Sequence, residues 1–116
     1  MGLSRAAFDA VRPIHVLSGG RHEGDLPGTF SFVTLGWGDV QLSGVKPAED
    51  GDGVIVRLYD IVGRGGDAQL TFGAAPASVT RTDVLEKADL GALPVQGKAV
   101  KVPVAPHAVV CLRVRF

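Results

Sequence analysis

Asparagine is absent from these 116 residues, so no N-glycosylation acceptor exists. A single cysteine, Cys111, excludes an intrachain disulfide and with it the stapled architecture of small secreted domains. Within "HAVVCLRVRF" this thiol reads as a small packing residue of an apolar strand. Aromatic residues make up 6%, with one tryptophan and one tyrosine, which leaves little material for a multi-ring stacking platform. No run approaches the roughly 18 apolar residues of a membrane-spanning helix, and the N-terminus lacks the apolar stretch of a secretory signal. "MGLSRA" places Ala6 where a myristoylation signal carries Ser or Thr. Twelve basic and twelve acidic residues cancel, so no net field favours nucleic acid or an anionic membrane. These absences together predict a protein of a reducing, cytoplasmic compartment with neither nucleic acid nor membrane as partner.

What is present is globular: 46% hydrophobic and 21% charged residues in a length suited to one core. The hydrophobic pattern has period two. In residues 107–116, Ala108, Val110, Leu112, Val114 and Phe116 share one face, and His107, Arg113 and Arg115 share the other with Val109 and Cys111. "GKAVKVPV" (97–104) alternates likewise, and Pro103 places that strand at an edge or at its own end. Further strands are read at 29–35, 39–45, 54–62, 68–72 and 78–86, each bounded by Gly, Pro or Asp. The fold class expected is all-β: an antiparallel β-sandwich of about seven or eight strands, immunoglobulin-like or galactose-mutarotase-like. Residues 1–28 read as an N-terminal arm and linker, with a helix stopped by Pro13, and residues 29–116 as the sandwich.

Candidate sites are few. In "AEDGDGVIVRLYD", Asp50 and Asp52 have calcium-loop spacing, but Val54 and Val56 follow where further ligands belong, so "DGDG" reads as a hairpin turn. "GRGGD" (63–67) precedes a strand rather than the helix of a phosphate cradle, and also reads as a turn. His15, His22 and His107 show no paired-ligand spacing, "RHEGD" reads as a solvated loop, and no "GxSxG" elbow occurs. Trp37, between two glycines, is either a sugar-stacking platform or a packing contact at one end of the sandwich, and Tyr59 is the second candidate for carbohydrate binding. Arg57 and Asp60 lie on a strand apolar on both faces, where each needs a partner. They form either a satisfied structural network or a contact to a neighbouring domain.

At this strand the sequence resembles a known family. "VQLSGVKPAEDGDGVIVRLYDIVG" is similar to the C-terminal β-sandwich of glycoside hydrolase family 38 α-mannosidases, with Lys46, Glu49, Asp50, Arg57, Leu58, Tyr59, Asp60 and Gly63 at matching positions. Asp60 stands where that family usually has Glu. "RAAFDAVRP", "RTDVLE" (with Leu85 and Glu86 ending a strand) and "VPVAPHAVVCLRV" resemble further parts in the same order, so the likeness spans about residues 7–116. The resemblance implies a non-catalytic domain that docks on the catalytic domain of a parent α-mannosidase, which is its expected partner. Mannose-containing glycans are a further candidate partner. The family's catalytic zinc and carboxylate nucleophile belong to another domain, so no catalytic residue, metal ligand or cofactor is expected in this chain, which would be an expressed fragment or a short stand-alone product. An independent carbohydrate-binding module and a general interaction module with an immunoglobulin-like fold remain as other readings.

Overall fold

The structure, a computed structural model, describes every residue except Met1 and Trp37. Two compact units are distinguished, residues 1–30 and residues 31–116. In the first, helix α1 (Gly2–Val11) runs up to the residue pair before Pro13, and the Arg12 guanidinium lies 5.6 Å from the centroid of the Phe8 ring. Proline fixes φ and disfavours helix in the residue before it, which is why the helix stops there. The rest of this unit carries neither helix nor strand.

The second unit is an all-β sandwich of nine strands. One sheet has the order β1 (Val33–Leu35), β4 (Gly66–Phe72), β8 (Ala99–Val104), β7 (Val95–Gln96). The other has the order β2 (Val40–Pro47), β3 (Val54–Asp60), β9 (Val109–Arg115), β5 (Ser78–Thr82), β6 (Asp89–Leu93). Every pairing is antiparallel. The period-two residues are what the two sheets bury against each other. Val56 and Leu58 of β3, Val110, Leu112 and Val114 of β9 and Val79 of β5 face Ala68, Leu70, Phe72, Val100, Val102 and Val104 of β4 and β8. Phe32 and Phe116 pack on Phe72 at one end, with ring centroids 6.4 and 6.0 Å from it.

β3 is interior, flanked by β2 and β9. β8 lies between β4 and β7, but β7 pairs only with Ala99 and Val100. Pro103 therefore faces a strand on one side only, where it stands opposite Asp67, which accommodates its missing N–H.

Several expected boundaries shift. The stretch read as a strand over 29–35 is paired only from Val33, and the one read over 54–62 ends at Asp60. The stretch 78–86 is a strand only to Thr82, because Asp83 then bonds forward and turns the chain. Its Oδ1 accepts from the N–H groups of Lys87 (2.7 Å) and Ala88 (2.9 Å), and Glu86 adopts φ 62°. Leu85 and Glu86 thus sit in a turn. The short strands β6 and β7 were not anticipated.

The core makes a direct stability prediction. Leu58→Ala and Leu112→Ala each remove a fully buried side chain and should destabilise the chain by about 2–5 kcal/mol in urea titration. Thr71→Ala, on the exposed outer face of β4, should stay within about 0.5 kcal/mol.

Candidate functional site

Asp60 ends β3 pointing inward and is wholly buried. An ionised carboxylate there needs donors, and the backbone provides four. Oδ1 accepts from the N–H groups of Val62 (3.1 Å) and Gly63 (3.0 Å); Oδ2 accepts from those of Gly65 (2.9 Å) and His107 (3.1 Å). The glycine loop between β3 and β4 is therefore a cradle for an anion, and the anion is the chain's own. Gly63 has φ 82°, and a Cβ there would run into the His107 imidazole, so the loop lies close under the β8–β9 turn. Burial pushes the Asp60 carboxyl up, but the N–H groups of Gly65, Gly63, His107 and Val62 outweigh it and hold the carboxyl below its ordinary range.

At the opposite end of the same sheet a second set of charges joins three segments. Arg113, on the outer face of β9 yet 4% exposed, donates through Nη1 to both Asp50 oxygens (2.7 and 2.9 Å) and to the Asp52 carbonyl, and through Nη2 to the Glu86 carbonyl. Arg115 binds Asp52 at 2.8 Å. Lys46 binds both Glu49 and Glu86 at 2.6 Å, and Glu86 also accepts the Glu49 N–H. The β2–β3 loop and the turn after β5 are thus tied across β9. Hydrogen bonds from Arg113 to Asp50, from Arg115 to Asp52 and from Lys46 to Glu86 lower each of these carboxyls. The Ala88 N–H does the same for Asp83. Asp50 and Asp52, spaced like calcium ligands, are engaged by arginines.

Between these ends lies the middle of the outer face, where β3 presents Arg57 and Tyr59 opposite Cys111 and Val109 of β9. The Arg57 Nε–H donates to Cys111 Sγ at 3.3 Å, and the Arg57 carbonyl accepts the Ser43 hydroxyl. Tyr59 and Val109 are exposed, whereas Cys111 is a free, buried thiol. On the β2 side Arg57 stands opposite Gly44, above which a Cβ would meet nothing within 4 Å. Arg57 and Asp60, three residues apart, belong to different surroundings: Asp60 to the internal cradle, Arg57 to this open face. Trp37, the other candidate for carbohydrate binding, lies outside the described residues.

Two participants differ from what the sequence leads one to expect. Glu86 is expected at a strand end, although the acceptor Asp83 three residues before it is a turn signal. Gly44 was read only as part of a strand, although an isolated strand glycine often marks a bulge or a gap, and the β2–β3 register does shift between Leu42 and Gly44.

Zinc bound by protein requires clustered nitrogen, sulfur or oxygen ligands. Among the described residues no three His, Cys, Asp or Glu side chains are placed to hold a metal ion, so these residues do not fit a zinc site. No helix is long and apolar enough to cross a membrane among those residues.

The fold and this arrangement of loops define a two-sheet antiparallel β-sandwich domain. The family model described as "Glycosyl hydrolases family 38 C-terminal beta sandwich domain" matches residues 39–112, from just before β2 into β9, and the chain belongs to that family. Comparison with curated proteins and with solved structures gave no match. "RAAFDAVRP" and residues 113–116 lie outside the matched stretch.

The lowered carboxyls set the acid response. Their native forms bind protons less readily than the unfolded chain does, so their stabilisation is complete above about pH 4–5 and is lost as pH falls through the lowered values. Unfolding midpoints in urea should be level from pH 7 to about 5 and drop steeply below about 4, with a shallower acid drop in Asp60→Asn. Asp60→Ala, which strands four partly buried N–H groups, should lower the melting temperature far more than Asp67→Ala, which removes only an exposed pair with Lys101. Equal melting temperatures for these two would refute the role given to the cradle.

Proposed function

We propose that this chain is the non-catalytic C-terminal β-sandwich of an α-mannosidase, and that it docks on and supports the catalytic domain of that enzyme. The observation that carries the reading is the family match over β2–β9. The state of the carboxylates agrees with it. Hydrolysis of a glycosidic bond uses two carboxyl groups flanking the bond, whereas the buried and half-buried carboxylates of this sandwich are engaged already. Asp60 and Asp83 accept backbone N–H groups; Glu86 binds Lys46 and Asp39 binds Arg64. Catalysis and zinc binding then fall to the parent enzyme's catalytic domain, and the reduced, buried Cys111 suits a cytoplasmic setting.

A second reading, an independent carbohydrate-binding module, draws support from one feature: Tyr59 is 39% exposed on the same face as an arginine, as a small sugar-stacking site would require. Titration with mannose oligosaccharides, followed by intrinsic fluorescence, separates the two; no saturable change at millimolar sugar is expected.

The purified chain should show no turnover of aryl α-mannosides, with or without added zinc. In the intact enzyme, Leu58→Ala should lower the melting temperature and the yield of active protein while leaving KM near the parent value. Turnover by the pure chain would overturn the proposal.

A further inference from the structure

The outer face of the five-stranded sheet treats its cations unequally. Lys46, Arg113 and Arg115 each hold a carboxylate at 2.6–2.8 Å. Arg57 instead spends its Nε–H on the Cys111 sulfur, a weak acceptor, and its two terminal nitrogens have no partner among the described residues. No buried side-chain nitrogen or oxygen among those residues lacks a partner, so these two nitrogens open to solvent. Around them no charged side chain stands opposite on either neighbouring strand: Tyr59 and Val109 stand side by side, 39% and 47% exposed, Gln41 of β2 stands opposite Tyr59, and Gly44 leaves open space beside Arg57. The result is a shallow trough with one uncompensated guanidinium at its centre.

We propose that this trough is the docking surface of the domain, and that its occupant is a segment of the parent enzyme's catalytic domain that presents a carboxylate flanked by apolar side chains. The inference rests on the supporting-domain reading above and adds the face and the chemistry of the partner. Charge complementarity chooses the occupant. A guanidinium fork matches a carboxylate with two parallel hydrogen bonds, whereas a neutral mannoside would leave the charge uncompensated. Tyrosine and arginine are also the residue types on which protein interfaces concentrate their binding energy. The outer face of the other sheet offers no such choice, since there Lys101 already pairs with Asp67.

Hydroxyl-radical footprinting of the intact enzyme, compared with the isolated chain, tests this directly. Tyr59 should be modified several-fold more slowly in the intact enzyme. Arg57→Glu in the intact enzyme should return Tyr59 to the rate of the isolated chain, and so should Gly44→Leu, whose added side chain enters open space and should leave the isolated chain's melting temperature unchanged. Lys101→Glu should keep Tyr59 protected. Protection of other residues of the sandwich with Tyr59 equally reactive in both forms would overturn the trough and leave the docking reading standing. No protection anywhere on the sandwich would overturn both. Tyr59 already slow in the isolated chain at every concentration would mean that the chain's own residues 1–30 cover it. Protection that grows with concentration of the isolated chain, or appears on adding mannose oligosaccharide, would assign the trough to a second copy or to a glycan. Each of these three results overturns the proposal.

Discussion

One buried carboxylate organises an entire end of the sandwich. Asp60 lies at the point where β3 leaves the five-stranded sheet for β4 in the other one, and its oxygens gather backbone N–H groups from the outgoing loop and from the turn that leads into β9. Two of the three crossovers between sheets at that end, β3 to β4 and β8 to β9, are thereby referred to a single side chain. The oxygens replace a set of loop-to-loop hydrogen bonds that irregular backbone could not make for itself, so the partly buried loop keeps these N–H groups satisfied. Protonation or removal of this group releases two connections at once, which explains why acid should act on it so sharply.

The other end is held by a different device, a web of surface-derived charges around Arg113. Individually, exposed ion pairs contribute little, and Lys46–Glu49 alone would be such a pair. Arg113 and Glu86 differ because their side chains are 5% and 4% exposed and each engages partners on separate segments. Their value lies in tying the β2–β3 loop and the turn after β5 to β9, beside Ile55, a buried residue opposite both Lys46 and Arg113. Between the two locked ends, the Arg57–Tyr59 region is the part of the face left uncommitted.

The sandwich was legible where side chains alternate between a core and water. β4 and β8 show that alternation, whereas β3 and β9 are buried on both faces along most of their length and read as strands through their β-branched runs, and Pro103 marks a strand with a free side. β6 and β7 were not legible: β6 is exposed along nearly its whole length and β7 has two residues, so neither writes a hydrophobic period into the chain. At the site, "VRLYD" was recognisable as a family pattern, and the need of Arg57 and Asp60 for partners followed from burial alone. What those partners are was not readable. The groups that bind Asp60 are backbone amides, identical at every position, and they converge only after the β8–β9 turn has brought His107 beside Gly63. Glu86 was hidden for a similar reason, because its relation to Lys46 exists only across the folded sheet.

The position of β9 has a consequence for the order of assembly. β2 and β3 form one hairpin and β5 and β6 another, yet in the finished sheet the two hairpins never touch: β9 separates them, paired to β3 on one side and to β5 on the other. Each hairpin can close early through neighbours in the chain, but the five-stranded sheet is completed only when residues 109–115 insert between them, and contacts of such long sequence separation make folding slow. Until that insertion the inner edges of β3 and β5 remain unpaired, templates for pairing with another chain. Synthesis and refolding of this domain therefore share one vulnerable interval, which closes with the arrival of its last strand.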